Sequence, residues 1–428
     1  MIKKNFLFLK NKLLHFLVLI CCFFNLSSFC AFLIKISFFK PKFIKKNKKI
    51  KKTFIVLFRQ IGNRDIEIIY KSSNHDMEFF FLRRGIFRVI LFYFSSRKKS
   101  FLDYFTHLAT DEDFFNQKAN DKKNHEKFLI NVIFHLKKIL SDKNLNFITF
   151  NYTYSTEQTL YAVCKKNNLP VILWHKEGIQ PDIDAEYHLK KRGIKFRQGL
   201  KDFSKISVYN DFTKKNFLKI DKSISKKIVV NGNPRIEDYL SKKKFYKKVK
   251  NILFLNFDER RGFPKYRKFI NLNWNKSYSE SIEILNELSK DKSLNIGVKI
   301  KHNSKSKIHE QLDKRIKIFK SGSAEKFINQ SDIIIGHNST STIEALINGK
   351  FVMVPFFENN SKLKKYLLRF NKDILYTSKK NMKKTILNII NKKVFFPINN
   401  QKHTKTIKYY FGDTNSKNIN KKYLNLLN

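Results

Sequence analysis

The stretch Ser331–Phe356, SDIIIGHNSTSTIEALINGKFVMVPF, decides the fold. Ser331–Gly336 reads as a short apolar strand between polar residues. The small polar loop His337–Thr342 follows at once. Ile343, Ala345, Leu346 and Ile347 then fit a helix with Glu344 in its first turn; Gly349 ends it, and Phe351–Pro355 is the next strand. Strand, hydroxyl-rich turn, helix, strand is how an open α/β sheet builds a phosphate site. The N–H groups at the helix start, together with the helix dipole, favour an anion there. Ser339, Thr340, Ser341 and Thr342 add hydroxyl donors, and Glu344 is close enough to accept from ribose hydroxyls. The same residues equally suit a capped helix without a ligand, since Ser and Thr are ordinary N-caps.

The alternation continues outward from this stretch. Thr53–Phe58, Phe147–Phe150, Val171–Trp174, Ile206–Tyr209 and Lys227–Val230 read as strands, with helices at Phe128–Leu140, Thr156–Lys166 and Asp211–Leu218. Arg59–Asn63 reads as a turn, Asp76–Phe94 as strand and helix, and the polar Asp111–Lys127 as a loop. In the second half, Ile252–Phe257, Ile296–Ile300 and Ile316–Phe319 read as strands. Helices are expected at Ser279–Leu288, Ala324–Ile328 and Met382–Ile390, and from Asn415 onward. This order argues for parallel sheets with crossover helices. The charged run Ser241–Lys250 divides them, giving an anchor and linker over 1–50, a first domain over 51–245 and a second over 246–428.

Composition narrows the partners. A chain of 428 residues, 42% hydrophobic, can hold two domains of ordinary size. The net charge of +52 points to an anionic partner. Lys, Asn, Ile and Phe are all abundant, with 44 Phe against 12 Gly and 7 Pro, which is the mark of an AT-rich genome. The lysines are spread along the chain without an Arg-rich block or zinc-finger spacing, so nucleic acid is not the expected partner. Anionic lipid headgroups or a negatively charged donor fit better. Cys21, Cys22 and Cys30 sit in an apolar run and Cys164 is alone, which fits a reducing compartment and no zinc site.

Leu13–Ile34 carries no formal charge with His15 neutral and is long enough to span a bilayer. Lysines flank it on both sides, more heavily after it, which places the rest of the chain at the cytoplasmic face of the inner membrane. It can be read as a single span, as a monotopic anchor in one leaflet or as a signal peptide. No small-x-small cleavage site stands out.

Ligands of open parallel sheets meet the chain just past the carboxyl ends of strands. That rule selects His175 and Glu177, Arg260 and Arg261, Lys301, and the Ser/Thr turn with Glu344. A second segment, Val229–Asp238, reads VVNGNPRIED.

Together these two segments resemble GT-B glycosyltransferases. The Ser/Thr turn is similar to the donor-nucleotide segment of the peptidoglycan lipid-intermediate N-acetylglucosaminyltransferase and of the UDP-N-acetylglucosamine 2-epimerases. Val229–Asp238 is similar to the Gly-Asn-Pro segment closing the first domain in both. The order of motifs, over Lys51–Lys422, looks most like bacterial capsule or O-antigen biosynthesis proteins of GT-B type. The resemblance implies an α/β GT-B fold, with two Rossmann-like domains facing across a cleft behind an N-terminal hydrophobic membrane-anchoring helix. It implies a nucleotide-sugar donor on the second domain and a lipid-linked or glycan acceptor on the first, with no bound metal and no cofactor beyond the donor. Glu344 would hold the donor ribose.

Glycosyl transfer needs a base, cations or N–H groups for the leaving diphosphate, and a grip on the nucleoside. Arg260 or Arg261 can hold the diphosphate, with Lys301 as an added charge. Glu177 or His175 can serve as base, with Asp76 of His75–Glu78 as runner-up. Gly232, Asn233 and Arg235 would shape the hinge or touch substrate. The cations also have a plainer reading as solvated surface charges, and Glu177, His175 and Asp76 as loop residues paired with a nearby lysine. Asp111–Asp113 and Asp182–Asp184 have only the bare DxD spacing. The acidic and His residues that a 2-epimerase needs around the sugar are not matched. That activity, a CDP-polyol phosphotransferase and a non-catalytic basic binder stand as alternatives.

Overall fold

Short apolar runs bounded by polar residues become parallel strands in the computed structural model. It describes residues 2–44, 50–57, 60–95, 114–140, 144–150, 157–175, 193, 197, 199–240, 249–256, 275–300, 308–336, 339–358, 374–392, 407–409 and 411–428. The first half holds α1 (Ile2–Phe23), α2 (Ser27–Ile36), β1 (Lys52–Leu57), α3 (Gln60–Lys71), β2 (Met77–Leu82) and α4 (Gly85–Tyr93). Next come α5 (Ala119–Leu140), β3 (Leu145–Thr149), α6 (Gln158–Lys166), β4 (Val171–Trp174), β5 (Lys205–Val208), α7 (Asp211–Ile220), β6 (Ile228–Val230) and α8 (Ile236–Leu240). The second half holds β7 (Asn251–Leu255), α9 (Asn275–Leu288), β8 (Asn295–Lys299), β9 (Lys317–Phe319), α10 (Ala324–Gln330) and β10 (Ile333–Ile335). It closes with α11 (Thr340–Ile347), β11 (Phe351–Pro355), β12 (Leu375–Tyr376), α12 (Lys379–Ile390) and α13 (Ser416–Leu427).

The strands form two six-stranded sheets, ordered β2-β1-β3-β4-β5-β6 and β12-β11-β10-β7-β8-β9, and every pairing is parallel. Strands buried on both faces need apolar residues at consecutive positions rather than at alternate ones. Ile333–Ile335 and Val171–Trp174 are buried throughout for this reason.

Two local expectations change. Gln60–Asn63 is the first turn of α3 rather than a turn closing the strand. The polar stretch before Phe128 is helical from Ala119, because its charges lie on the solvent side of α5. The opposite side buries His125, Phe128, Leu129, Val132, Ile133 and Leu136 at helical spacing.

The N-terminal expectation of a single span is corrected. Leu13–Ile34 is broken at Asn25, which adopts φ 54, and α1 and α2 fold back as a hairpin. Val18, Leu19, Cys21 and Cys22 of α1 and Cys30, Ala31, Leu33 and Ile34 of α2 enter the core of the first domain. Their apolar surface is committed to protein, and no helix among the described residues is long and apolar enough to cross a membrane.

His125 provides a pH test of this packing. Its ring stacks on Phe94 at 5.3 Å, with Gln117 Nε2 3.3 Å from Nδ1. Burial pushes its pKa down to about 3. The unfolded chain therefore takes up a proton below the ordinary value of 6.5 that the folded chain refuses. Stability from this site is complete above pH 6.5 and is lost as pH falls toward 3, by up to ~5 kcal/mol. His125→Gln should lose less melting temperature than wild type between pH 7.5 and 4.5. Equal losses in the two proteins would refute the burial account.

The last helix returns to the first sheet. Tyr423 of α13 stacks on Trp174 at 4.3 Å and donates its hydroxyl to the Gly232 carbonyl at 3.1 Å. Asn420 Nδ2 donates to Ser72 Oγ at 2.9 Å. Gly232 has φ 86, a region that strains any other residue, and an added Cβ would lie 2.7 Å from Ile419 Cγ1. One apolar cluster joins both sheets through this seam. It includes Phe54, Val56 and Ile148 of the first and Leu253, Ile334 and Val352 of the second, with Ile236, Ile343, Ile419 and Tyr423 between them.

Candidate functional site

Each sheet has a point where the strand order reverses, and ligands of such folds bind outside the carboxyl ends there. In the first sheet the chain leaves β1 one way to β2 and the other way to β3, so the reversal lies between β1 and β3. In the second it lies between β7 and β10. The helix that follows β1 is α3, and the helix that follows β10 is α11.

The second reversal carries the Ser/Thr turn. Gly336 closes β10 so tightly that an added Cβ would lie 3.2 Å from Thr342 Oγ1 and 3.4 Å from Leu255 Cβ, at the end of β7. Ser339 is the N-cap residue of α11, but its side chain makes no capping bond. Its hydroxyl lies 3.1 Å from Thr342 Oγ1 instead. Ser339 and Ser341 are half-buried and Thr342 is buried. Thr340 opens the helix. One turn in, Glu344 is also buried.

The first reversal is equally close-packed. Gly62 lets the start of α3 sit against Phe150, whose ring would lie 2.2 Å from an added Cβ. One turn further, Asp65 is fully buried. Tyr209 donates its hydroxyl to Asp65 Oδ2 at 2.9 Å, and burial, reinforced by the Asp65 charge, pushes the phenol well above its usual range.

Arg235 connects the two. Its Nε lies 2.8 Å from Asp65 Oδ1, and its Nη1 lies 3.6 Å from Glu344 Oε1. The Asn-Pro turn aims it. Asn233 is buried and its Oδ1 accepts from the Arg235 N–H at 3.1 Å, while its carbonyl accepts from Ile236 at 3.1 Å. Arg64 adds a second tie from α3, to Asp238 on α8 at 3.1 Å. A planar guanidinium with donors on two edges suits a bridge between two carboxylates better than a lysine would.

The structure thus brings Gly232, Asn233, Arg235 and Glu344 together with the Ser/Thr turn. Glu177, Arg260, Arg261 and Lys301 lie outside the described residues. His175 is buried, with its backbone N–H bonded to the Ser207 carbonyl at 2.8 Å. Its ring packs edge-on to Phe217 at 5.1 Å, in the cluster on the sheet face away from Asp65. Asp76 is not brought to the site. It precedes β2, at the amino end of the sheet, and pairs with Lys51 at 3.3 Å.

Two members of the site escaped the sequence reading. Asp65 shares the buried stripe of α3 with Gly62, Ile66, Ile69 and Tyr70. A carboxylate on such a stripe is the signal that could have found it. Tyr209 gave no comparable sign. A second buried cluster stands past β3, on the opposite face. Glu157 pairs with Arg84 there and accepts from Tyr161 at 2.6 Å, and burial pushes its carboxyl upward against the pull of Arg84.

Among the described residues no group of His, Cys, Asp and Glu is arranged to hold a metal ion.

No protein-family model matches the chain, and no curated protein matches it. Solved structures do. A putative UDP-N-acetylglucosamine 2-epimerase from Listeria monocytogenes superposes with a TM-score of 0.51 at 14% identity, covering 88% of this chain and 96% of that one. The UDP-GlcNAc 2-epimerase from Methanocaldococcus jannaschii gives 0.51 at 16% identity, covering 87% and 98%. The Neisseria meningitidis enzyme bound to UDP-GlcNAc gives 0.51 at 13% identity, covering 88% and 99%. Nearly the whole of each neighbour and most of this chain are matched. The chain therefore has the two-unit α/β fold of GT-B type.

Proposed function

We propose that this chain is a nucleotide-sugar glycosyltransferase, moving a sugar to a lipid-linked or glycan acceptor in surface polysaccharide biosynthesis. The observation that carries the reading is the Asp65–Arg235–Glu344 bridge, which makes the two strand-order reversals face one another. A donor seated at the second reversal would have its diphosphate at the start of α11 and its ribose hydroxyls at Glu344. Arg235 positions that carboxylate by attraction and ties it to the acceptor side. In the reaction, the acceptor oxygen forms a bond to the anomeric carbon as the bond from that carbon to the diphosphate oxygen breaks. The acceptor proton passes to a base, for which we assign Glu177. Arg260, Arg261 and Lys301 are assigned to the leaving diphosphate. No metal or cofactor is assigned a step.

A second reading, nucleotide-sugar 2-epimerase, is favoured by the fold likeness to the three epimerases. Product analysis separates them. With UDP-, CDP- and GDP-sugars and a polyprenyl-diphosphate-linked acceptor, the transferase releases nucleoside diphosphate only when acceptor is present. An epimerase changes the donor sugar at C2 without any acceptor. Calorimetry with UDP, CDP, GDP and CMP should show one nucleotide preferred at least tenfold. Equal, salt-sensitive binding of all four would refute both readings, because it would report charge alone.

A further inference from the structure

We infer that the α1–α2 hairpin is an interfacial docking element for an anionic lipid bilayer, seated at the headgroup level without crossing. The buried side of the hairpin has been accounted for, and the other side is unusual. Phe23, Phe24, Leu26, Phe29, Phe32 and Ile36 are 67%, 64%, 43%, 43%, 46% and 54% exposed. They are not scattered. Phe23, Phe24 and Leu26 form the tip, and Phe29, Phe32 and Ile36 recur at helical spacing along the solvent side of α2. Phe23 meets Phe24 edge-on at 4.9 Å, and Phe29 stacks on Phe32 at 6.2 Å. Tyr93, also exposed, ends α4, which packs against α1. A contiguous apolar patch of this kind marks an interaction surface rather than ordinary exposure.

Charge selects the occupant. Residues 1–64 contain 13 lysines and no Asp or Glu. Lys35, between Phe32 and Ile36 on α2, and Lys42, after α2, are exposed. A second copy of this chain would bring two acid-free cationic segments together, and like charges would oppose the contact. A bilayer offers acyl chains to the phenylalanines and anionic headgroups to the lysines, as amphipathic interfacial helices require. Length excludes a crossing. The apolar part of α1 from Leu13 to Phe23 is about 16 Å long and α2 about 15 Å, against roughly 30 Å of hydrocarbon. The hairpin belongs to the first domain, on the side assigned to a lipid-linked acceptor, but docking is read from residues apart from Glu344 and Arg235. It stands or falls independently of the proposed activity.

The test is flotation of the full chain with phosphatidylglycerol or phosphatidylcholine vesicles, without nucleotide, at 150 mM salt. Wild type should float with the anionic vesicles, and Phe23→Ser/Phe24→Ser and Phe29→Asn/Phe32→Asn should each bind at least tenfold more weakly. Both pairs are exposed, so melting temperature should hold. In Phe24→Trp, brominated lipid should quench the new indole most strongly when bromine lies near the headgroups. Vesicle binding unchanged in both double variants would overturn the proposal, leaving only charge attraction. No wild-type flotation would overturn it as well, and a dimer abolished by the same variants would then identify a second copy as the occupant.

Discussion

Glu344→Ala should weaken nucleotide binding about ten- to 150-fold and reduce turnover at least as much. A buried carboxylate accepting ribose hydroxyls makes charge-assisted bonds worth about 1.5–3 kcal/mol, which is that factor in affinity. Water cannot easily replace it, because the side chain is only 8% exposed. Glu344→Gln keeps the shape and one acceptor, so it should fall between the two. The effect should follow the nucleoside: inorganic diphosphate, which has no ribose, should bind both proteins alike. Calorimetry with the preferred nucleotide checks this beside a melting curve. An unchanged dissociation constant in the folded variant would remove Glu344 from the site.

Asp65→Ala should be the most destabilising single change at the seam. It strips the 2.8 Å partner from Arg235, whose side chain is only 16% exposed, and leaves the Tyr209 hydroxyl without its acceptor. Breaking one member of a buried pair costs about 3–5 kcal/mol, and this change should fall at the low end of that range, because Arg235 keeps the Glu344 carboxylate at 3.6 Å. Asp65→Asn retains an acceptor for Tyr209 and should lose less. Replacing both members, as Asp65→Leu with Arg235→Met, should recover only part of the stability, because Glu344 then stays buried without its guanidinium, and binding should stay impaired for the same reason. Urea unfolding and nucleotide calorimetry on the same set measure the two effects separately. A double variant that binds as wild type would make the bridge a matter of stability alone.

The same residues show where sequence reading reached and where it stopped. β4 at Val171–Trp174 and β11 at Phe351–Pro355 were found with the observed boundaries, because strands buried on both faces leave an uninterrupted apolar run. The seam at Gly232–Arg235 was found as a segment, yet its partner Asp65, 170 residues earlier in the chain, was not. An ion pair between a helix of one sheet and a turn closing that sheet leaves no local pattern. The hairpin failed in the opposite direction. Hydropathy along Leu13–Ile34 reports only that a helix is apolar, and not whether protein or lipid covers it.

By itself, the sequence determined the parallel α/β architecture, the hydroxyl-rich turn before Glu344 and the cationic, acid-free N-terminal segment, since periodicity, turn chemistry and charge are local properties. Only the tertiary structure decided that Arg235 stands between Asp65 and Glu344, that Asp76 lies at the wrong end of its sheet, and that one apolar run is two helices with one side in the core. Those outcomes depend on which distant surfaces compete for the same side chain, and that competition is settled by packing.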